Sequence, residues 1–108
     1  MRPEPPATVP IALTPRLARK VEDDFAEIDR PGVIDALERV NLGSWRSTEP
    51  PVGRERVLAA ILVLTRGESA RLAESIQIAE RDWRDALVWA ELGQPDWPRR
   101  LDELLGPA

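Results

Sequence analysis

The residues able to do chemistry are few, and most of them are carboxylates. Glu22, Asp23, Asp24 and Glu27 crowd into one short stretch. Carboxylates grouped in this way can hold a hard cation or share a proton. The stretch lacks the glycine turn and alternating acids of a calcium loop, so it reads as the solvated face of a helix. The 108-residue chain contains no His, no Cys and no Tyr. The commonest metal ligand and the thiolate nucleophile are therefore missing, as is the one side chain that titrates near neutrality. Catalysis would fall to carboxylates, hydroxyls, arginines or the single Lys20, and no phosphate loop, Ser/His/Asp set or metal-ligand spacing organises them. The expectation is a non-enzyme with no cofactor and no metal.

A second candidate is a binding motif. Leu72–Leu87 resembles a DNA-binding helix-turn-helix. Ala73 stands for the small residue of the first helix, and Ile76 and Ile78 flank the turn. Trp83 and Ala86 stand for the buried face of the recognition helix. Arg81 and Arg84 would be its DNA contacts. Two features depart from the motif. Gln77 occupies the turn where glycine is usual, and Glu80, Asp82 and Asp85 oppose the two arginines. Charge is also evenly spread. The net charge of −4 divides into −2 before Arg54 (7 basic, 9 acidic) and −2 from it onward (8 basic, 10 acidic), so neither half is a basic module.

The third candidate is an apolar contact. Trp83 and Trp89 lie six residues apart, about 240° on a helical wheel, and cannot share one narrow face. Trp83 belongs to a core stripe. Trp89 falls beside Leu92 on another flank, and large aromatics are enriched at interface centres. Trp89, Leu92 and the loop residue Trp45 are the expected partner contacts, with Trp45 also suited to anchoring its loop.

These side chains must be positioned by helices. Hydrophobic residues make up 43% of the chain and charged residues 31%, a globular balance that supports one modest core. Residues 1–13 carry Pro3, Pro5, Pro6 and Pro10 and read as a flexible tail, leaving 14–108 as a single helical domain. Thr14-Pro15 is a helix start, and Leu17, Val21, Phe25 and Ile28 form an apolar stripe to about residue 28. A second helix runs from about Pro31 to Val40. A loop over 44–53 holds Pro50-Pro51. Val57–Leu64 is then apolar at eight consecutive positions, which predicts a helix covered on nearly all sides. Gly67 suits the left-handed residue that closes it. Leu72, Ile76, Ala79, Trp83, Ala86 and Ala90 step by 4, 3, 4, 3, 4, which predicts one long helix with Glu80/Arg84 and Arg81/Asp85 pairs outside. Asp96 would cap a last helix, Trp97 to Leu105. The expected fold is all-α, about five helices around a central antiparallel helix hairpin.

The segment Arg81-Asp82-Trp83-Arg84-Asp85-Ala86-Leu87-Val88-Trp89-Ala90-Glu91 resembles one found in small uncharacterised bacterial helical proteins. There an apolar helix and a Gly-Asp turn precede Arg-Asp-aromatic-Arg-Asp-x-Leu-x-x-Ala-Glu; here the turn is Gly67-Glu68. The resemblance implies a helical hairpin and no chemistry. The longest apolar run is far short of the roughly 20 residues of a membrane span, and the N-terminal stretch lacks the apolar core of a signal peptide. The expectation is a cytoplasmic protein-interaction module that self-associates, without membrane contact. A DNA-binding regulator using 72–87 is the alternative.

Overall fold

A computed structural model of the chain describes residues 11–41 and 51–107. Six helices are present among the described residues: α1 (Pro15–Asp24), α2 (Arg30–Glu38), α3 (Pro51–Thr65), α4 (Ser69–Arg81), α5 (Trp83–Trp89) and α6 (Trp97–Leu105). No strand occurs among them.

Helix α3 is the axis of the fold. Six successive residues, Val57 to Leu62, are buried, as are Glu55 and Thr65. A helix can bury consecutive residues only when neighbours surround it. Here α1, α4, α5 and α6 all pack against it. The turn between α3 and α4 makes the antiparallel hairpin. Arg66 and Gly67 both take left-handed backbone, φ 54° and 71°, and Glu68 N–H returns to Thr65 O. Gly67 is required here, since a Cβ would lie 2.9 Å from the carbonyl oxygen of Asp24.

Helix α1 begins as its sequence dictates. Thr14 is the N-cap and accepts from Leu17 N–H at 3.4 Å, with Pro15 in the first turn. It ends earlier than the apolar stripe implies. Leu17, Val21 and Phe25 are buried, but Ile28 is 88% exposed, beyond the helix end. The backbone turns extended at Phe25, φ −122° and ψ 149°, and the Arg30 guanidinium donates to the carbonyls of Phe25 (3.1 Å) and Glu22 (2.9 Å), satisfying acceptors at that end. Arg54 does the same for α2, donating to the carbonyls of Val40, Leu37 and Glu38 at 3.1–3.3 Å.

The stripe from Leu72 to Ala90 is divided between two helices rather than carried by one. Asp82 is extended, φ −157° and ψ 102°, and its carboxylate accepts from Arg84 N–H at 3.0 Å. An aspartate that caps a new helix stops the old one. Leu72, Ala79, Ala86 and Ala90 are nonetheless all buried, because the two helices keep their apolar faces on α3. The expected i,i+4 pairs are lost with the break. Glu80 accepts from Asn41 N–H instead, at 2.8 Å, and Arg84 pairs with Asp82.

Of the stretch expected as a tail, residues 1–10 lie outside the described residues. Beyond them, Ile11 N–H donates to Glu38 O at 3.0 Å, and Leu13 packs on the core. Among the described residues no helix is long and apolar enough to cross a membrane.

Candidate interaction surface

Helix α5 presents the surface on which the sequence places its partner contacts. Asp82 sets its start. Its end is a left-handed closure: Glu91 takes φ 61°, Glu91 N–H donates to Val88 O, and Leu92 N–H reaches back to Leu87 O at 2.8 Å. This is the Schellman pattern, which usually places an apolar residue after the left-handed one against the last turn. Leu92 obeys it and is fully buried. Leu92 is therefore a core residue and not a partner contact. The wheel misplaces it because the chain has left the helix by that point.

What remains outward on α5 is Arg84, Asp85, Val88 and Trp89. Val88 is 66% exposed and Trp89 60%, while Ala86 and Leu87 on the opposite side are buried. Two large apolar side chains thus stand side by side in water on one short helix. The only other exposed large apolar residues described, Ile11 and Ile28, lie on neither α4 nor α5. Trp45 lies outside the described residues.

The arginines proposed for DNA are placed differently from the motif. Gln77 lies inside α4, and the turn falls at Asp82. The helix that follows has seven residues. Arg84 is turned back on its own helix: its Nε donates to Asp82 Oδ1 at 3.1 Å, and its guanidinium carbon lies 5.8 Å from the Trp83 ring centre. The Arg84 side chain and then its N–H hold the Asp82 carboxyl below its usual range. Arg81 is exposed.

The acidic cluster does not converge. Asp24 pairs with Lys20 at 3.3 Å, Glu22 and Asp23 are exposed, and Glu27 lies past the end of α1. No group of three carboxylates able to hold a metal occurs among the described residues. Between α1, α3 and α6 lies an open groove of about 450 Å³, floored by Leu62, Val63 and Leu104 and rimmed by Lys20, Asp23 and Arg66.

The densest polar arrangement went unread in the sequence. By sequence Arg54-Glu55-Arg56 makes the charged first turn of a helix from about Gly53, but α3 starts at Pro51 and Glu55 is buried. Arg16 grips it with two parallel bonds, Nη2 to Oε1 at 2.7 Å and Nε to Oε2 at 3.1 Å. The Thr14 hydroxyl also donates to Oε2. Arg16 Nη1 continues to Asp102 Oδ1 (2.7 Å) and Gly106 O (3.0 Å), joining α1, α3 and α6. Burial opposes the Glu55 charge, but the bonds from Arg16 and Thr14 outweigh it and hold the carboxyl below its usual range. Both oxygens and the guanidinium fork are engaged, so the cluster is a clamp and not an acid–base pair. Its sequence signal is positional: Glu55 lies two residues before the apolar run that starts at Val57, so a charge there borders the buried stretch and needs a partner.

Comparison with protein-family models, curated proteins and solved structures finds no match for this chain.

Proposed function

We propose that the protein is a non-catalytic interaction module that self-associates through the outward face of α5. The observation that carries this reading is the adjacent exposure of Val88 and Trp89 on a helix whose other apolar residues are buried or partly buried. Tryptophan in this setting is the residue type most enriched at the energetic centre of interfaces. An antiparallel two-fold pairing of α5 sets the two Trp89 side chains near the axis. Two side chains per copy form a small patch, below the area of a tight complex, so association in the micromolar range or weaker is expected. The lack of cysteine supports a cytoplasmic setting.

A DNA-binding role finds less support, since Arg84 is engaged by Asp82 and the first turn of α5 carries Asp85. Sedimentation velocity from about 10 µM to 1 mM tests the proposal, on the affinity scale that a weak interface implies. The expected result is a concentration-dependent rise in sedimentation coefficient that Trp89→Ser abolishes while the helical circular dichroism is unchanged. A monomer throughout, or a rise that Trp89→Ser leaves intact, refutes it.

A further inference from the structure

Helix α6 differs from the others in how it is held. It packs chiefly on α1 and α3, and of its residues Leu101 and Leu105 are buried. Among the described residues its polar side-chain ties to the rest of the fold come from arginines of those two helices. Arg16 reaches Asp102 Oδ1 and Gly106 O, and Arg19 Nη2 donates to Leu105 O at 3.0 Å. The Arg56 guanidinium carbon lies 4.4 Å from the centre of the Trp97 ring. The side chain of Asp102 is 62% exposed, so that tie is screened by solvent.

Docking also leaves polar atoms unmet. Arg56 Nε is buried without a hydrogen-bond partner, and so is Asp96 Oδ1 at the first turn of α6. Burial disfavours the Arg56 charge. Asp96 holds the N-cap position without bonding a backbone N–H; its other oxygen takes Arg99 and Arg100 instead. A buried polar atom without a partner regains its hydrogen bonds when water reaches it. Undocking α6 therefore returns hydration at one end while giving up apolar contact along its length. The segment before it, Gly93-Gln94-Pro95, is exposed throughout and leaves room for a hinge.

We propose that α6 is a strap that opens as its own unit about Gly93–Pro95 while α1–α5 remain folded. Opening uncovers the α1–α3 seam and carries away Leu104, one side of the groove that Leu62 and Val63 also line. The strap is independent of the α5 face and would hold whether or not that face self-associates. Local opening of this kind is read by native-state amide exchange, which separates sub-global from global unfolding.

The experiment compares the full-length protein with Asp102→Asn and with Arg56→Met at increasing sub-denaturing urea. In the wild type, amides of α6 are expected to exchange through an opening with weak urea dependence, faster than those of α3 and α4. Asp102→Asn is expected to raise α6 exchange about two- to fivefold, the scale of a solvent-screened ion pair, and to raise α3 and α4 exchange by no more than that factor, since the tie is lost in the open and the unfolded states alike. Arg56→Met gives up the attraction of the guanidinium for the Trp97 ring but keeps the apolar contact and removes the buried unpartnered nitrogen, whose cost is the larger, so it is expected to slow α6 exchange. The proposal is overturned if wild-type α6 and α3 amides exchange through the same opening. It is equally overturned if Asp102→Asn leaves α6 exchange unchanged, or if Arg56→Met speeds α6.

Discussion

Replacing Glu55 by Gln tests the buried clamp directly. The substitution keeps the volume and removes the charge. The Glu55 and Arg16 side chains are 6% and 11% exposed, so the pair is desolvated on both sides. Removing one partner of a buried pair costs about 3–5 kcal/mol, because the other charge is left without compensation. Arg16 keeps Asp102 and Gly106 O, which places the expected loss near the lower end, about 3 kcal/mol. A domain of this length has on the order of 5–15 kcal/mol in total, so the loss is a large share. It corresponds to a fall in melting temperature on the order of 15 °C and a drop in urea midpoint of about 2 M. Urea titration followed by tryptophan fluorescence measures it. The double variant Arg16→Met/Glu55→Leu replaces the pair by apolar volume and is expected to lie within about 1 kcal/mol of wild type, since a packed apolar pair commonly matches a buried ion pair. A Glu55→Gln loss below about 1 kcal/mol, or a double variant as unstable as the single, refutes the clamp. The pH dependence adds a sign. A carboxyl held below its unfolded value near 4.3 contributes stability above that value and loses it as pH falls through the folded one. The gap between wild type and Glu55→Gln is therefore expected to be full at neutral pH and to close as the pH falls below about 4.

Three further outcomes follow from the turns. Gly67→Ala forces a Cβ to within 2.9 Å of Asp24 O at φ 71°, and is expected to cost about 1–3 kcal/mol in urea titration. Asp82→Ala removes the acceptor for Arg84 N–H and is expected to cost about 1 kcal/mol, read as a lower thermal midpoint. Glu91→Gly relieves a non-glycine residue at φ 61° and is expected to stabilise by about 0.5–1 kcal/mol in the same assay.

Much of the framework could be read before the structure. Thr14-Pro15 starts α1, Val57–Leu64 lies in the enclosed helix, Gly67 closes it, and Trp97–Leu105 is the last helix. These are local signals, settled by a cap, a run or a terminal glycine. The misreadings share a different cause. Periodicity reports which residues face inward but not whether the backbone between them is continuous. The stripe runs in phase through Asp82, so the break was invisible to it. Ile28 and Leu92 fit helical wheels extended past true helix ends, which the extended Phe25 and the left-handed Glu91 mark. Asp96 occupies the expected cap position but gives its carboxylate to Arg99 and Arg100. On the candidate face, Trp89 could be found from its angular offset; the burial of Leu92 needed the turn geometry. The Arg16–Glu55 pair joins residues 39 positions apart, a distance no local pattern spans.

The enclosure of α3 bears on how this sequence can drift. A helix with one exposed face can exchange residues there at little cost, and ordinary surface substitutions stay within about 0.5 kcal/mol. From Val57 to Leu62 no such face exists. Every replacement in that stretch is a replacement in the interior, where the loss of a buried side chain costs about 2–5 kcal/mol. Tolerance to change is therefore concentrated in the helices around it. Divergent copies of this fold should keep the size and order of the α3 side chains while the outward positions of α4 and α6 turn over freely. A search for distant kin would do best to weight residues 55–65 above the rest of the chain.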